Sequence, residues 1–321
     1  MIRSMMDNDI WNEELVLMES QDHFEDVWQA MQDNLEKYGT RYIKTLSTLS
    51  DKSVRGDLVA LNLRLIIDDN RKLHDKYHNI FDLELFEEEY FEDPEGFKST
   101  TLRKDCEAIR VTLNSRSEVL VDWQRNFNRS KAKELLDTFY NIVSFADEYN
   151  SSMDEDKIAK IDSIDEVGFA QMSEEACYQS GVLGYGLVSN ILNHMYPRVF
   201  PGNYKLGIYS LYFLSGAGHG VNMPSESSEF IMVKDDVYSK TGTIEVEHNY
   251  YFPYSVFGLY SLRIYRFLEN KFKELYNRSF PSEYRYLLVN KFYEYIATIH
   301  KADITTLNGN DDILKFNRNP W

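Results

Sequence analysis

The sequence has little of what usually identifies an enzyme or a membrane protein. Its two cysteines, Cys106 and Cys177, lie too far apart in the chain to predict a disulfide framework or a zinc site, so we expect two buried thiols. It contains no G-x-S-x-G, H-E-x-x-H or C-x-x-C motif. No window approaches the roughly 18 uninterrupted apolar residues of a membrane span, and the amino-terminal stretch lacks the apolar core of a signal peptide. We therefore expect a cytoplasmic protein with no membrane partner, no bound metal and no cofactor.

Proline and glycine are scarce in the first half of the chain. Pro94 is the only proline before Pro197, and 11 of the 15 glycines lie between Gly168 and Gly258. Both residue types interrupt helices, so their scarcity allows the helices of the first half to run long.

Positive charge is also scarce there. Residues 1–167 hold 37 acidic and 21 basic side chains, whereas residues 168–321 hold 15 and 14, within a net charge of −17. Because an acidic protein repels nucleic-acid phosphates at long range, any contact with DNA or RNA requires a local basic patch. The change in composition predicts two domains. Residues 1–160 would form an acidic helical bundle, and residues 161–321 a smaller, tyrosine-rich helical (α+β) domain with a short hairpin.

Apolar residues in the first domain recur at steps of three and four, the period of an amphipathic helix. Four such stripes predict an antiparallel helical bundle, with Ser130 as the cap of the fourth helix. The stripes are Phe24, Trp28, Met31, Leu35, Tyr38, Tyr42, Leu46 and Leu49; Val54, Leu58, Leu61 and Leu65; Leu102, Cys106, Ile109, Leu113, Leu120, Trp123 and Phe127; and Leu135, Leu136, Phe139, Ile142, Val143 and Phe145. The predicted fold class is mainly α.

The segment Phe81–Phe97 combines many acidic residues with five aromatic ones. One interpretation is a docking segment for a basic partner, or a mimic of nucleic-acid phosphates. The other is a solvated helix end whose aromatic side chains pack into the bundle, which is the usual role of a charged run.

Turn residues and β-branched residues organise the second domain. The segments EFIMVKDD (229–236) and GTIEVEHNYYF (242–252) predict a β-hairpin. Helices are expected from Ser173, from Leu187 to before Pro197, from a cap at Asn203, from Tyr254 to Tyr276, and from Pro281 to about His300.

The glycines between Gly184 and Gly220 predict tight corners between helices. Gly184 and Gly186 do not follow a strand, and GAGHG (216–220) is not followed by a lysine and a serine or threonine. Neither segment therefore has the context of a phosphate-binding loop. GAGHG instead fits a turn at a helix C-terminus that requires positive φ angles.

Acidic residues on the predicted hairpin raise the possibility of a metal-dependent nuclease. Asp235, Asp236, Glu245 and Glu247 have a spacing at which two strands could hold Mg²⁺ and activate water. The position where such a site requires lysine is not lysine, because the run is Glu245-Val-Glu-His248. Polar alternation on an exposed hairpin explains the same acids.

Histidines give a weaker indication of a metal site. His219, His248 and Glu247 do not have the spacing of a metal cluster, and His74 and His78 lack a third ligand. An exposed polar helix face is the simpler explanation of His74 and His78.

A basic segment on the penultimate predicted helix could bind nucleic acid. Arg263–Arg278 holds five basic and two acidic residues. Its cations Arg263, Arg266, Lys273 and Arg278 could contact phosphates, while Tyr265 or Tyr276 stacks on bases. The alternative is an amphipathic helix with a solvated charged side.

Part of the second domain resembles helical regions attached to McrB-like restriction ATPases and related bacterial defence proteins. The resemblance lies in SNILNHMYP (189–197), FPGN (200–203), SSEFIMV (227–233), NYYFPYSVFGLYSLRIY (249–265) and YRYLLVNKF (284–292), within residues 170–300. In such regions a helix ends at a proline, followed by an aromatic-proline pair and a polar cap. The chain has no Walker A motif, so the resemblance implies an accessory or specificity component that is not itself the ATPase.

We therefore expect a non-enzymatic interaction protein, an accessory subunit of a larger bacterial assembly in antiviral or restriction defence. Its expected partner is a protein, in a hetero-complex or a homo-oligomer. The alternatives are a nucleic-acid-binding module that uses the Arg263–Arg278 helix and a metal-dependent nuclease that uses the hairpin acids.

Overall fold

A computed structural model describes residues 8–48, 57–117, 120–202, 204–217, 228–235 and 244–308. The fold is mainly helical, as predicted, and the strands in these ranges form one antiparallel hairpin. Within these ranges, no helix combines the length and apolar character needed to cross a bilayer.

Helices of very different length make up the first half. In the order of the chain these elements are α1 (Asn8–Met18), α2 (Gln21–Thr45), α3 (Leu58–Ile80), α4 (Leu83–Leu85), a first π-helix (Phe86–Tyr90), α5 (Pro94–Gly96), a second π-helix (Phe97–Asp105), α6 (Glu107–Asn114), α7 (Val121–Arg129), α8 (Ala132–Ser152) and α9 (Glu155–Lys160).

The second half contains the hairpin and the most apolar helices. Its elements are 3₁₀ turns (Asp165–Val167, Ala170–Ser173 and Glu175–Cys177), α10 (Tyr185–Met195), α11 (Lys205–Leu214), β1 (Ile231–Asp235), β2 (Ile244–His248), α12 (Tyr254–Tyr276), a 3₁₀ turn (Ser282–Tyr284), α13 (Arg285–Ile299) and α14 (Lys301–Asn308). The hairpin register pairs Ile231 with His248 and Asp235 with Ile244.

Several predicted boundaries are wrong, each for a local reason. Ser130 does not cap α8: it ends α7, where its hydroxyl donates to the Asn126 carbonyl at 2.8 Å, and α8 begins without a capping side chain. Ser173 closes a 3₁₀ turn instead of opening a helix, and its hydroxyl lies 2.7 Å from that of Tyr185. The third stripe is divided among the second π-helix, α6 and α7, because the backbone is extended at Cys106. Leu49, Val54 and Asn203 lie outside the described residues.

One continuous hydrophobic core joins the two predicted domains. Helix α2 packs against α12, and α3 packs against α10 and α13. At the crossing of α2 and α12, a Cβ on Gly39 would lie 2.6 Å from Phe267 Cε1, so only glycine allows this close approach without displacing the ring. The predicted boundary near residue 160 therefore does not coincide with a break in the core. Both cysteines are buried in this core, as expected.

The aromatic side chains of Phe81–Phe97 pack into the bundle. Phe81, Phe86 and Phe97 are buried, and the Phe81 ring stacks on Phe139 at 5.2 Å between centroids. The acidic side chains of the segment lie mostly on the exposed side. This is the packing of a solvated helix end, and binding of a basic partner by this segment stays a prediction.

The turn after α11 has the predicted left-handed backbone. Gly216 has φ 77° and Ala217 has φ 59°. These angles satisfy the end of α11, since the Ala217 N–H donates to the Tyr212 carbonyl at 2.9 Å. Residues 218–220, with His219, lie outside the described part of the chain.

Candidate functional site

The basic side chains of α12 are held by other parts of the molecule. Arg263 forms a bidentate pair with Glu25 of α2, with both N–O distances at 2.6 Å, and also reaches the Asp162 carboxylate at 3.1 Å. Its guanidinium lies 4.8 Å from the centroid of the Phe24 ring. Hydrogen bonding to Arg263 holds the pKa of Glu25 below its usual range. Arg263 therefore joins α2 and the segment after α9 to α12.

Arg266 fixes the end of α9. Its Nη2 donates to the backbone carbonyls of Ile158, Ala159 and Ile161 at 3.0, 3.0 and 2.7 Å. These carbonyls have no partner within the short helix, so the guanidinium acts as a C-terminal cap supplied by another element.

Two further arginines hold the preceding stretch of chain. Arg198 donates to the carbonyls of Asn150 and Met153, both at 2.6 Å. Arg285 Nη2 lies 2.5 Å from both carboxylate oxygens of Glu155. We call residues 150–166 the connector. Four arginines from the second half thus fasten the connector.

The remaining predicted nucleic-acid contacts also have partners within the chain. Lys273 pairs with Glu269 at 3.1 Å, and Arg278 pairs with Asp57. Tyr265 is buried, and the Tyr276 hydroxyl donates to the Ile43 carbonyl at 2.9 Å. In this conformation the charge of α12 is largely compensated by carboxylates, and Tyr265 and Tyr276 serve packing.

The hairpin acids do not share one face of the ribbon. Asp235 pairs with Ile244, whereas Glu245 pairs with Lys234 and Glu247 with Met232. Because positions on a strand alternate between faces, position 235 belongs to the face opposite that of 245 and 247. Asp236 lies outside the described residues. Among the residues that the structure describes, no group of three or more His, Cys, Asp or Glu is placed to hold a metal ion.

His74 and His78 are structural in this conformation. Their ring nitrogens bind the backbone carbonyls of His194 and Met195, each at 2.9 Å, at the C-terminal end of α10. His194 in turn bonds through Nδ1 to the Asn70 side-chain oxygen. Burial lowers the pKa of His194 to about 4 and lowers the pKa of His78. His78 and His194 are therefore neutral near pH 7, and the cluster joins α3 to α10.

A buried acid–base pair lies below the hairpin. His23 Nε2 contacts the Glu229 carboxylate, and both side chains are buried. The Asn249 side-chain amide donates to the Glu229 backbone carbonyl at 2.9 Å. Burial raises the pKa of Glu229. Both groups are only a few per cent exposed, so a substrate has no access to this pair in the described conformation.

An open groove lies between α2, α3 and α13. Helices α3 and α13 each contribute residues at i, i+3, i+4 and i+7, and α2 closes the third side. Its volume is about 350 Å³. We call this feature the α3/α13 groove; it is lined by Asn62, Leu65, Ile66 and Asp69 of α3, by Lys291, Glu294, Tyr295 and Thr298 of α13, by Tyr42 and Thr45 of α2, and by Leu46, which follows α2.

The groove has an apolar floor and a charged rim. Leu46 and Ile66 are buried in the floor, while Leu65 remains 48 % exposed at the edge. Lys291 lies 3.7 Å from the Asp69 carboxylate and 3.1 Å from that of Glu294. The sequence contained a signal for this surface, because Leu65 extends an apolar stripe that the core does not fully cover.

The chain matches no family model, no curated protein and no solved structure in the comparisons made. The resemblance to regions of McrB-like restriction ATPases therefore stays a prediction.

Proposed function

We propose that this protein is a non-enzymatic interaction subunit that binds a partner protein through the α3/α13 groove. The proposal rests on two stripes of residues, one on α3 and one on α13. Each stripe lines the groove with the residues at positions i, i+3, i+4 and i+7 of its helix. Each stripe spans two helical turns, or about 10 Å. This length suits two turns of a bound helix.

The chemistry of the lining favours an amphipathic helix as the occupant. Helices bind grooves by inserting apolar side chains at the same spacing into an apolar floor. Here Leu46, Leu65 and Ile66 supply apolar contact. The rim carries two carboxylates, Asp69 and Glu294, against the single lysine Lys291, and the whole chain is strongly acidic. A basic amphipathic helix complements both features.

A groove substitution tests the proposal. Leu65→Lys places a positive charge at the edge of the floor, where it opposes a basic helix, on a side chain that is already half exposed, so we expect little effect on folding. Val16→Lys is the matched control, because Val16 is 71 % exposed on α1 and does not line the groove. Tagged wild type and both variants would be used to capture partners from the native host after nuclease treatment, with quantification by mass spectrometry.

We expect the wild type and Val16→Lys to capture a stoichiometric partner. Capture by Leu65→Lys should fall about tenfold, which corresponds to about 1.4 kcal/mol. Equal capture by both variants would exclude the groove as the binding site. Capture that disappears on nuclease treatment would instead favour a nucleic-acid-binding function. Participation in antiviral or restriction defence is part of the proposal and is supported by the sequence resemblance alone.

A further inference from the structure

A second concentration of basic residues lies in the first half of the chain. Residues 98–133 contain nine basic and four acidic side chains, a local net charge of +5 within a chain whose net charge is −17. The excess is spread over the second π-helix, α6, α7 and the start of α8. It therefore does not appear as a single basic run in the sequence.

The fold brings these residues together at the junction of α7 and α8. Lys98 and Arg103, from the second π-helix, reach the end of α7. Lys98 donates to the Asn128 carbonyl at 3.1 Å and to the Ser130 carbonyl. Arg103 donates to the Asn128 side chain at 2.6 Å. Both cations lie 5.7 Å from the centroid of the Phe127 ring. We call the resulting feature the basic surface; it comprises Lys98, Arg103, Lys104, Arg129, Lys131 and Lys133.

Much of the charge on the basic surface has no carboxylate partner. The acceptors of Lys98 and Arg103 are neutral carbonyl and amide oxygens, so hydrogen bonding leaves their charge in place. Within the described residues, Lys104 and Arg129 form no ion pair. This differs from α12, where Glu25 and Asp162 compensate Arg263.

The carboxylates that pair with the basic surface are exposed, and the acidic segment Phe81–Phe97 borders this surface through Phe91, whose ring centroid lies 6.0 Å from Lys133 Nζ. Lys131 pairs with Glu134 and Lys133 with Asp137 within a single helix, and Glu95 lies near Lys98. Exposed pairs of this kind contribute little to stability. An incoming polyanion can therefore displace them at low cost.

We propose that the basic surface binds the phosphate backbone of a nucleic acid. Backbone phosphates suit several exposed cations on adjoining elements, since each cation can neutralise one phosphate. The ring beneath, Phe127, is fully buried, so the surface offers charge without the apolar centre that protein interfaces use. Phe91 is 37 % exposed and its ring centroid lies 6.0 Å from Lys133 Nζ at the edge of the surface. Charge therefore dominates the contact, which would be largely independent of sequence.

Reversal of charge at two positions tests this site. Lys104→Glu/Arg129→Glu changes two exposed side chains that have no ion pair in the described chain, so folding should be retained. Lys72→Glu/Lys301→Glu is the control with the same change in net charge at exposed positions outside the surface. Lys273→Glu/Arg278→Glu tests α12.

Binding of fluorescein-labelled 20-base-pair DNA and 20-nucleotide RNA would be followed by anisotropy between 50 and 200 mM salt. Over this range the Debye length falls from about 14 Å to about 7 Å.

We expect salt-dependent binding that weakens by about tenfold or more in Lys104→Glu/Arg129→Glu, with a salt slope smaller by about two units. The two other double variants should lose about threefold or less. An equal loss in all three double variants would show a dependence on net charge alone, and a selective loss in Lys273→Glu/Arg278→Glu would place the contact on α12. Either of these results would overturn the proposal. So would absence of binding at 50 mM salt, or displacement of the DNA by polyglutamate at equal charge concentration. The site does not depend on the α3/α13 groove.

Discussion

Individual buried side chains link the two halves of the molecule. His194 is held by Asn70, and its backbone carbonyl accepts a hydrogen bond from His74. His23 contacts Glu229 across 206 residues of sequence. None of these pairs follows from helical periodicity, because the partners belong to elements that are distant in the chain.

Protonation of His194 should weaken the folded state. Burial lowers its pKa to about 4, whereas an unfolded histidine titrates near 6.5. The unfolded chain therefore binds more protons between these values, and the contribution of His194 is present above pH 6.5 and lost as the pH falls towards 4. His78, whose pKa is also lowered by burial, acts in the same direction.

The free energy of unfolding of the wild type should fall between pH 7 and pH 5, and we expect His194→Gln to reduce this fall by about 1–2 kcal/mol. The full pKa shift of His194 sets an upper limit of about 3 kcal/mol. Urea unfolding at both pH values, with His300→Gln as the control, would measure it. An identical pH dependence in wild type and His194→Gln would exclude this histidine as the cause.

Among the elements, the connector shows how cations can serve the fold. Its apolar residues Ile158, Ile161 and Ile164 are buried, and Arg266 caps the end of α9. The charge count of the Arg263–Arg278 segment indicated a basic face. That count could not identify Glu25 and Asp162 as partners of Arg263, since they lie 238 and 101 residues away.

Loss of the Arg266 cap should expose the connector to protease. In Arg266→Ala three carbonyls lose their donor, so we expect trypsin to cleave after Lys157 or Lys160 about tenfold faster than in wild type, as local opening becomes easier. Lys273→Ala, an exposed substitution on the same helix, should leave the rate unchanged. Cleavage sites would be identified by mass spectrometry. Unchanged cleavage in Arg266→Ala would mean that burial of the isoleucines alone holds the connector.

Prediction from the sequence succeeded for elements whose periodicity is long and clearly bounded. The expected span of α12, Tyr254–Tyr276, and the hairpin are confirmed. It failed where two local signals competed. Ser130 can cap the following helix or end the preceding one, and in the fold its hydroxyl donates to the Asn126 carbonyl of the preceding helix. The α3/α13 groove could not be derived, because it requires the relative positions of three helices.

At the scale of the whole molecule, the shared core makes the two halves depend on each other. Helix α2 contributes Phe24, Met31 and Leu35 to the same buried cluster as Leu268 and Phe272 of α12. Separation after residue 160 would expose both faces to water, at a cost of about 25 cal/mol for each Å² of apolar surface.

We therefore expect a single cooperative unfolding transition for the full chain, with coincident midpoints by circular dichroism and tyrosine fluorescence. The separately produced fragments 1–160 and 161–321 should lack a cooperative transition and regain one when mixed. Two resolved transitions in the full chain, or a cooperative fragment, would show that the predicted boundary separates independent domains.

The close crossing at Gly39 also bears on the evolution of the chain. Since the Phe267 ring occupies the space that a side chain would need, a larger residue at position 39 requires this ring to move or a smaller residue at position 267. We therefore expect these two positions to vary together. A small residue in the middle of α2, matched to an aromatic one on α12, can serve as a signature of remote kinship.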